Sequence, residues 1–86
     1  MRVLIPGPLR SYTAGAREVA AKGETLREVL RDLDLRFPGF AFRLVDEQGM
    51  IRRHIKCFIG RDAAASIAAS IGDDEDVMIV CALSGG

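Results

Sequence analysis

Thr25-Leu26-Arg27-Glu28-Val29-Leu30-Arg31-Asp32-Leu33-Asp34-Leu35-Arg36 carries the clearest periodicity in the chain, and its reading decides the fold. Leu26, Val29, Leu30 and Leu33 fall at i, i+3, i+4 and i+7, whereas Arg27, Glu28, Arg31, Asp32 and Asp34 cover the other side. Apolar residues at that spacing form one stripe on a helix, so the spacing predicts an amphipathic helix over 25–36. Thr25 followed three residues on by Glu28 is a capping box, in which each side chain can satisfy a backbone N–H that the first turn leaves without a partner. Pro38-Gly39 marks the end. About twelve residues at ~1.5 Å each give roughly 18 Å, the length of a typical strand, so one helix can cover one sheet face.

Strand patterns lie on both sides of this helix. Residues 2–6 read as a strand with Val3 and Ile5 on one face and Leu4 on the other, ended by Pro6-Gly7-Pro8. Residues 9–15 are a connector, and 16–21 a weaker strand, with Val19 and Ala21 inward, that forms a hairpin with the first. After the helix, 40–45 reads as a loose helical turn that closes the core edge with its phenylalanines, and Asp46-Glu47-Gln48-Gly49 as a turn. Residues 54–59 form a strand with Ile55, Cys57 and Ile59 on one face and His54, Lys56 and Phe58 on the other. Residues 63–71 combine alanines, which favour helix, with Ile67 and Ile71 at the spacing of a short helical turn after an edge strand. The acidic turn Gly72-Asp73-Asp74-Glu75-Asp76 then precedes a last strand over 77–82.

This order, with a single long helix, implies an α+β chain of β-grasp type: a mixed four- to five-stranded sheet with one main helix across one face. The last strand is apolar on both faces and belongs in the middle, beside the first. Val77, Ile79 and Cys81 then point at the helix. Met78, Val80 and Ala82 lie on the open face with Leu4 and Phe58. An apolar patch on an otherwise solvated face marks a partner surface, so Leu4, Phe58, Met78 and Val80 are the candidate partner-binding residues.

At 86 residues the chain is expected to be one domain, 1–86, with a flexible tail over 83–86. Lysine plus arginine and aspartate plus glutamate number 12 each, which argues against nucleic acid or an anionic membrane as partner. The N-terminal apolar run meets Pro6-Gly7-Pro8 too soon for a signal-peptide core, and no run approaches the ~20 residues of a membrane span; a cytoplasmic protein is expected. Cys57 and Cys81 lack a neighbouring His or Cys at metal-ligand spacing and read as buried thiols; no metal site is assigned. His54, the only histidine, reads as a surface residue among Arg52, Arg53 and Lys56.

The last four residues are Leu83-Ser84-Gly85-Gly86. Glycine lacks a Cβ and visits backbone angles closed to other residues, so Gly-Gly is a thin and pliable end. Four extended residues reach roughly 13 to 14 Å, enough to cross a partner's rim into a buried site.

The chain resembles the MoaD/ThiS family of ubiquitin-like sulfur carriers. The likeness is carried by Pro6, Leu9-Arg10 and Thr13-Ala14-Gly15, by Gly23-Glu24-Thr25-Leu26 and Pro38-Gly39, by residues 73–77, and by Ser84-Gly85-Gly86. Residues 43–54 are most similar to the CysO-like branch, which serves cysteine biosynthesis. Ile59-Gly60-Arg61, where the family often has Val-Asn-Gly, and the alanine-rich segment from Ala63 depart from the pattern. The resemblance implies a carrier, not an enzyme. An E1-like adenylyltransferase of the MoeB/ThiF type uses ATP and magnesium to adenylate Gly86; a sulfur donor then displaces AMP and leaves a thiocarboxylate for a sulfur-accepting synthase. That sulfur goes into cysteine, or into molybdopterin, thiamin or another sulfur metabolite. A Zn-dependent protease that releases product is a further implied partner, and no cofactor is bound. Gly85 and Ser84 would permit passage of the tail and Leu83 would anchor it. Two alternatives stay open: a ubiquitin-like modifier joined through Gly86 to target lysines, and a plain β-grasp binding module with an inert tail.

Overall fold

The periodic stretch folds as helix α1 (Leu26–Arg36) in a computed structural model that describes residues 1–82. Leu26, Val29, Leu30 and Leu33 are the four residues the helix buries. Removing each from water is worth about 1.5 to 3 kcal/mol, which makes this stripe the main reason the segment is helical here. The Thr25 hydroxyl accepts from the Glu28 N–H at 3.3 Å. The reciprocal half of the capping box is shifted by one residue: the Glu28 carboxylate accepts from the Glu24 N–H at 3.0 Å, ahead of the N-cap.

Among the described residues five strands form the sheet: β1 (Arg2–Leu4), β2 (Glu18–Ala20), β3 (Ile55–Ile59), β4 (Asp62–Ala63) and β5 (Val77–Cys81), in the order β2-β1-β5-β3-β4. β1 and β2 form the expected antiparallel hairpin, β5 lies between β1 and β3, and its pairing with β1 is parallel. The central place of β5 follows from its two apolar faces. Val77 and Ile79 are buried against α1 with Val3 and Ile5 from β1 and its extension, and Ile55, Cys57 and Ile59 from β3.

A short helix α2 (Phe40–Leu44) follows α1, with its N-terminal N–H groups taken by a side chain of α1: Asp34 accepts from Gly39 and Ala41, both at 3.1 Å. Phe40 is fully buried and closes the core, but Phe42 is 54% exposed, because five residues of helix cannot turn both rings inward. The Arg52 guanidinium covers the Phe42 ring at 4.6 Å instead.

The alanine-rich segment after β4 forms no helix among the described residues. It runs across the N-terminus of α1, where the carbonyls of Ala69 and Ile67 accept from the Leu26 and Arg27 N–H groups at 3.0 and 2.8 Å. Those bonds satisfy helix donors that otherwise lack partners, and a helix over 63–71 would instead spend the Ile67 carbonyl on the Ile71 N–H, which here donates to the Glu24 carbonyl. Tertiary hydrogen bonding therefore overrides the alanine propensity.

Gly23 shows how closely the chain entering α1 must pass. With φ of +154°, a Cβ placed there would lie 2.8 Å from the Val29 nitrogen and 2.9 Å from the Glu28 Cβ.

Candidate functional site

Register across the sheet brings the predicted face together. Leu4 pairs with Met78 across the parallel β1–β5 ladder, and Met78 pairs with Phe58 across the antiparallel β5–β3 ladder. Side chains of directly paired residues share a face, so Leu4, Met78 and Phe58 form one row on the side away from α1. Leu4 and Met78 are 38% and 40% exposed, while Phe58 and Val80 are half-buried. Val80 sits in the next row, opposite Lys56.

Ion pairs bound this row on one side. Arg2 meets Asp76 at 3.2 Å and Glu18 at 3.7 Å. The Arg2 backbone N–H also donates to Asp76 at 2.8 Å, and this hydrogen bond is the first reason the Asp76 carboxyl is held below its ordinary range. All three side chains are exposed enough that screening leaves the pairs little net energy. They fix the edge of the face and add little to stability.

On the other side the face runs into a groove of about 370 Å³, formed where β5 lies beside the turn after β1. Met78, Val80 and Cys81 form one wall and Pro6, Gly7, Pro8 and Arg10 the other. The Arg10 Nε donates to the Ile5 carbonyl at 3.0 Å, which pins the side chain over the end of β1. This wall was not among the residues chosen from sequence. Its signal was Pro6-Gly7-Pro8 itself: parallel pairing of the first and last strands puts whatever ends the first beside the exit of the last.

Cys81 is half-buried rather than fully inside, because it is the last residue of β5, where the sheet reaches the edge of the core. Burial raises its thiol pKa, and the Arg43 guanidinium nearby pulls the other way. Cys57 is buried in mid-strand, and burial pushes its thiol up to about 11. Both thiols are protonated at neutral pH and poor nucleophiles there. The two are not paired with each other. The His54 carbonyl accepts from the Ala82 N–H at 2.7 Å, continuing the ladder one step past Cys81, while the rest of the residue is exposed. Among the described residues no group of three or more His, Cys, Asp or Glu side chains is placed to hold a metal ion. No helix among them is long and apolar enough to cross a membrane. The proposed tail residues, Leu83, Ser84, Gly85 and Gly86, lie outside the described residues.

No family model matches the chain. The sulfur carrier proteins CysO of Mycobacterium tuberculosis and Mycobacterium bovis are each 33% identical to it over 89 residues, spanning 98% of this chain and 96% of theirs. A chain of the crystal structure of the Amycolatopsis orientalis BexX/CysO complex superposes with a TM-score of 0.90 at 32% identity, covering 99% of this chain and 98% of that one. SAMP1 of Haloferax volcanii shares the fold, with a TM-score of 0.73 at 22% identity over 99% of this chain and 97% of that one.

Proposed function

This chain belongs to the CysO family of ubiquitin-like sulfur carrier proteins, and on that premise we propose that it carries sulfur as a thiocarboxylate on Gly86, acting as a substrate of other enzymes rather than as one itself. The observation that carries the reading is the joining of three features in one chain: a partly exposed apolar row across β1, β5 and β3, a ladder that continues to Ala82, and the sequence Leu83-Ser84-Gly85-Gly86 directly beyond.

The chemistry explains why such a carrier needs partners. A terminal carboxylate has a pKa near 3.3 to 3.7, so at neutral pH it is an anion and a poor electrophile. In the proposed sequence the Gly86 carboxylate attacks the α-phosphorus of ATP on an E1-like enzyme, releasing pyrophosphate and leaving an acyl-adenylate. A sulfide-level donor then attacks the acyl carbon, AMP departs, and the thiocarboxylate remains for a sulfur-accepting synthase. Magnesium and ATP belong to the adenylating partner. The contribution of this chain is delivery: Leu4, Met78, Phe58 and Val80 dock, the strand aims the tail, and Gly85 and Ser84 let it pass. Cysteine biosynthesis is the pathway that fits its CysO relatives.

The test is intact-protein mass spectrometry after incubation with ATP, an E1-like enzyme and sulfide. Exchange of one carboxyl oxygen for sulfur adds about 16 Da on the C-terminal fragment. Deleting Gly86 withdraws the carboxylate by about 3.5 Å, beyond the ~0.5 Å tolerance of a preorganised site, and should abolish the gain without unfolding the domain. Equal gain by the deleted chain defeats the reading. Conjugation to a target lysine would instead appear as a large adduct, and this modifier alternative is the weaker one, since SAMP1, a small archaeal modifier protein, shares only the fold at 22% identity.

A further inference from the structure

Charge in this neutral chain is sorted along β5. Asp73, Asp74, Glu75 and Asp76 lie just before Val77, at one end of the strand, and the three ion pairs among the described residues use Arg2 and Arg36 with Glu18, Asp76 and Asp32. At the other end the cations gather. Arg10 lines the groove beside Cys81, and Arg43 is close enough to act on the Cys81 thiol. Lys56 pairs with Val80, and Arg53 precedes His54 in the turn whose carbonyl holds Ala82. None of these four cations is in an ion pair among the described residues. Arg43 is held there by the Tyr12 ring, 5.9 Å from its guanidinium carbon, and Tyr12 packs edge-on to buried Phe40. Five residues of strand at ~3.3 Å each separate the two ends by about 16 Å. With a net charge of zero, this separation makes the domain an oriented dipole with its positive end around the tail exit.

We propose that Arg10, Arg43, Arg53 and Lys56 form a basic collar that steers the domain, tail first, onto a partner protein whose tail channel has an acidic rim. This rests on the sulfur-carrier reading above and adds the charge of the surface that the tail crosses. The arrangement suits a carboxylate-lined rim because guanidinium groups form paired hydrogen bonds with carboxylates, and among the described residues none of these cations is already paired with one. The acidic end, about a strand length behind, is repelled by the same rim, so attraction and repulsion favour one orientation of encounter.

The experiment measures pyrophosphate release by the E1-like enzyme that activates the wild-type chain, at ~0.05 M and ~0.5 M NaCl, where the screening length falls from about 14 Å to about 4 Å. The double variant Arg43→Glu/Lys56→Glu should lose at least tenfold in kcat/KM at low salt with kcat unchanged, and the loss should shrink to less than threefold at high salt. Arg53→Glu, which disturbs no stacking, should show a smaller loss with the same salt dependence. Arg27→Glu/Arg31→Glu on the outer face of α1 makes the same change in net charge and should leave kcat/KM within twofold. A collar variant indistinguishable from wild type, or a loss equal to that of the α1 variant, overturns the collar while leaving the carrier reading intact. Failure of every E1-like enzyme tested to activate the wild-type chain overturns both.

Discussion

Met78→Asp tests the docking face at its centre. Position 80 is less informative than its exposure suggests, because an aspartate there would face Lys56 and acquire a counter-ion. Met78 has apolar neighbours on both sides, Leu4 and Phe58, and its row ends at Glu18 and Ala63 on the edge strands without a cation. In the free protein the substitution costs little beyond strand propensity and partial packing, about 1 kcal/mol, since 40% of Met78 is already in water. In a docked complex the carboxylate would lose its water with no partner, at several kcal/mol, and the remaining apolar burial of methionine would go as well. Taking 3 to 5 kcal/mol as the total, Kd should rise by roughly 150- to 5000-fold. Calorimetric titration against the adenylating enzyme reads this directly, with circular dichroism to show that the variant is folded. Leu35→Asp is the matched control, because Leu35 is 80% exposed on α1, on the covered side of the sheet. A Kd for Met78→Asp within threefold of wild type, or an equal loss for Leu35→Asp, refutes the assignment of this face.

Gly23→Ala should destabilise the domain by about 2 to 4 kcal/mol, because backbone and Cβ atoms of α1 stand within 3.0 Å of the added methyl and cannot swing aside; urea unfolding followed by circular dichroism measures it, and a change below ~0.5 kcal/mol would mean the approach is looser than described. Iodoacetamide at pH 8 should label Cys81 well before Cys57, and both equally in urea, with peptide mass spectrometry reading the sites. Burial raises the Cys57 pKa from 9.0 to about 11, so the folded state keeps a proton that the unfolded chain gives up: the stability from this site is complete below pH 9 and lost as pH rises toward 11. Cys57→Ala should flatten that alkaline limb of the melting temperature against pH, and an unchanged limb would assign it to other groups.

Much of this architecture was legible because local and global preferences agree along most of the chain. The 25–36 stripe, the Thr25 cap and the alternation at Ile55, Cys57 and Ile59 each follow from one period and one burial rule, and the structure places them accordingly. Several motif residues behind the family resemblance also acquire physical reasons. Leu9 and Thr13 are buried, the Thr13 hydroxyl bonds the Ala16 carbonyl at 3.0 Å, and Gly23 sits where a Cβ collides with α1. What escaped the sequence depends on distant partners. The non-helical course of residues 64–71 is set by donors on α1, the cover over the outward Phe42 ring by Arg52, and the partial exposure of Cys81 by where the core ends. The sequence pattern places the first and last strands side by side; the groove wall at Pro6 and Arg10 required following that pairing to the strand ends, where the turn after β1 meets the exit of β5.

The modest size of the apolar row is itself part of the proposed function. A carrier must leave the enzyme that loads it and reach the one that takes its sulfur, so docking that is too strong would slow each round. Two residues about two-fifths exposed and two half-buried ones offer a patch at the small end of protein interfaces, of the kind found in transient encounters. Such contacts contribute on the order of a few kcal/mol, and a micromolar Kd needs about 8. The difference has to come from elsewhere on the chain. An extended tail enclosed by a channel can supply it through backbone hydrogen bonds, and charges around its exit can raise the encounter rate without slowing release, since rim electrostatics act mainly on association. Affinity then depends on the tail being engaged. Under the proposed function, conversion and withdrawal of Gly86 would leave only the weak face to hold the carrier, and release would follow from the same geometry that allowed loading.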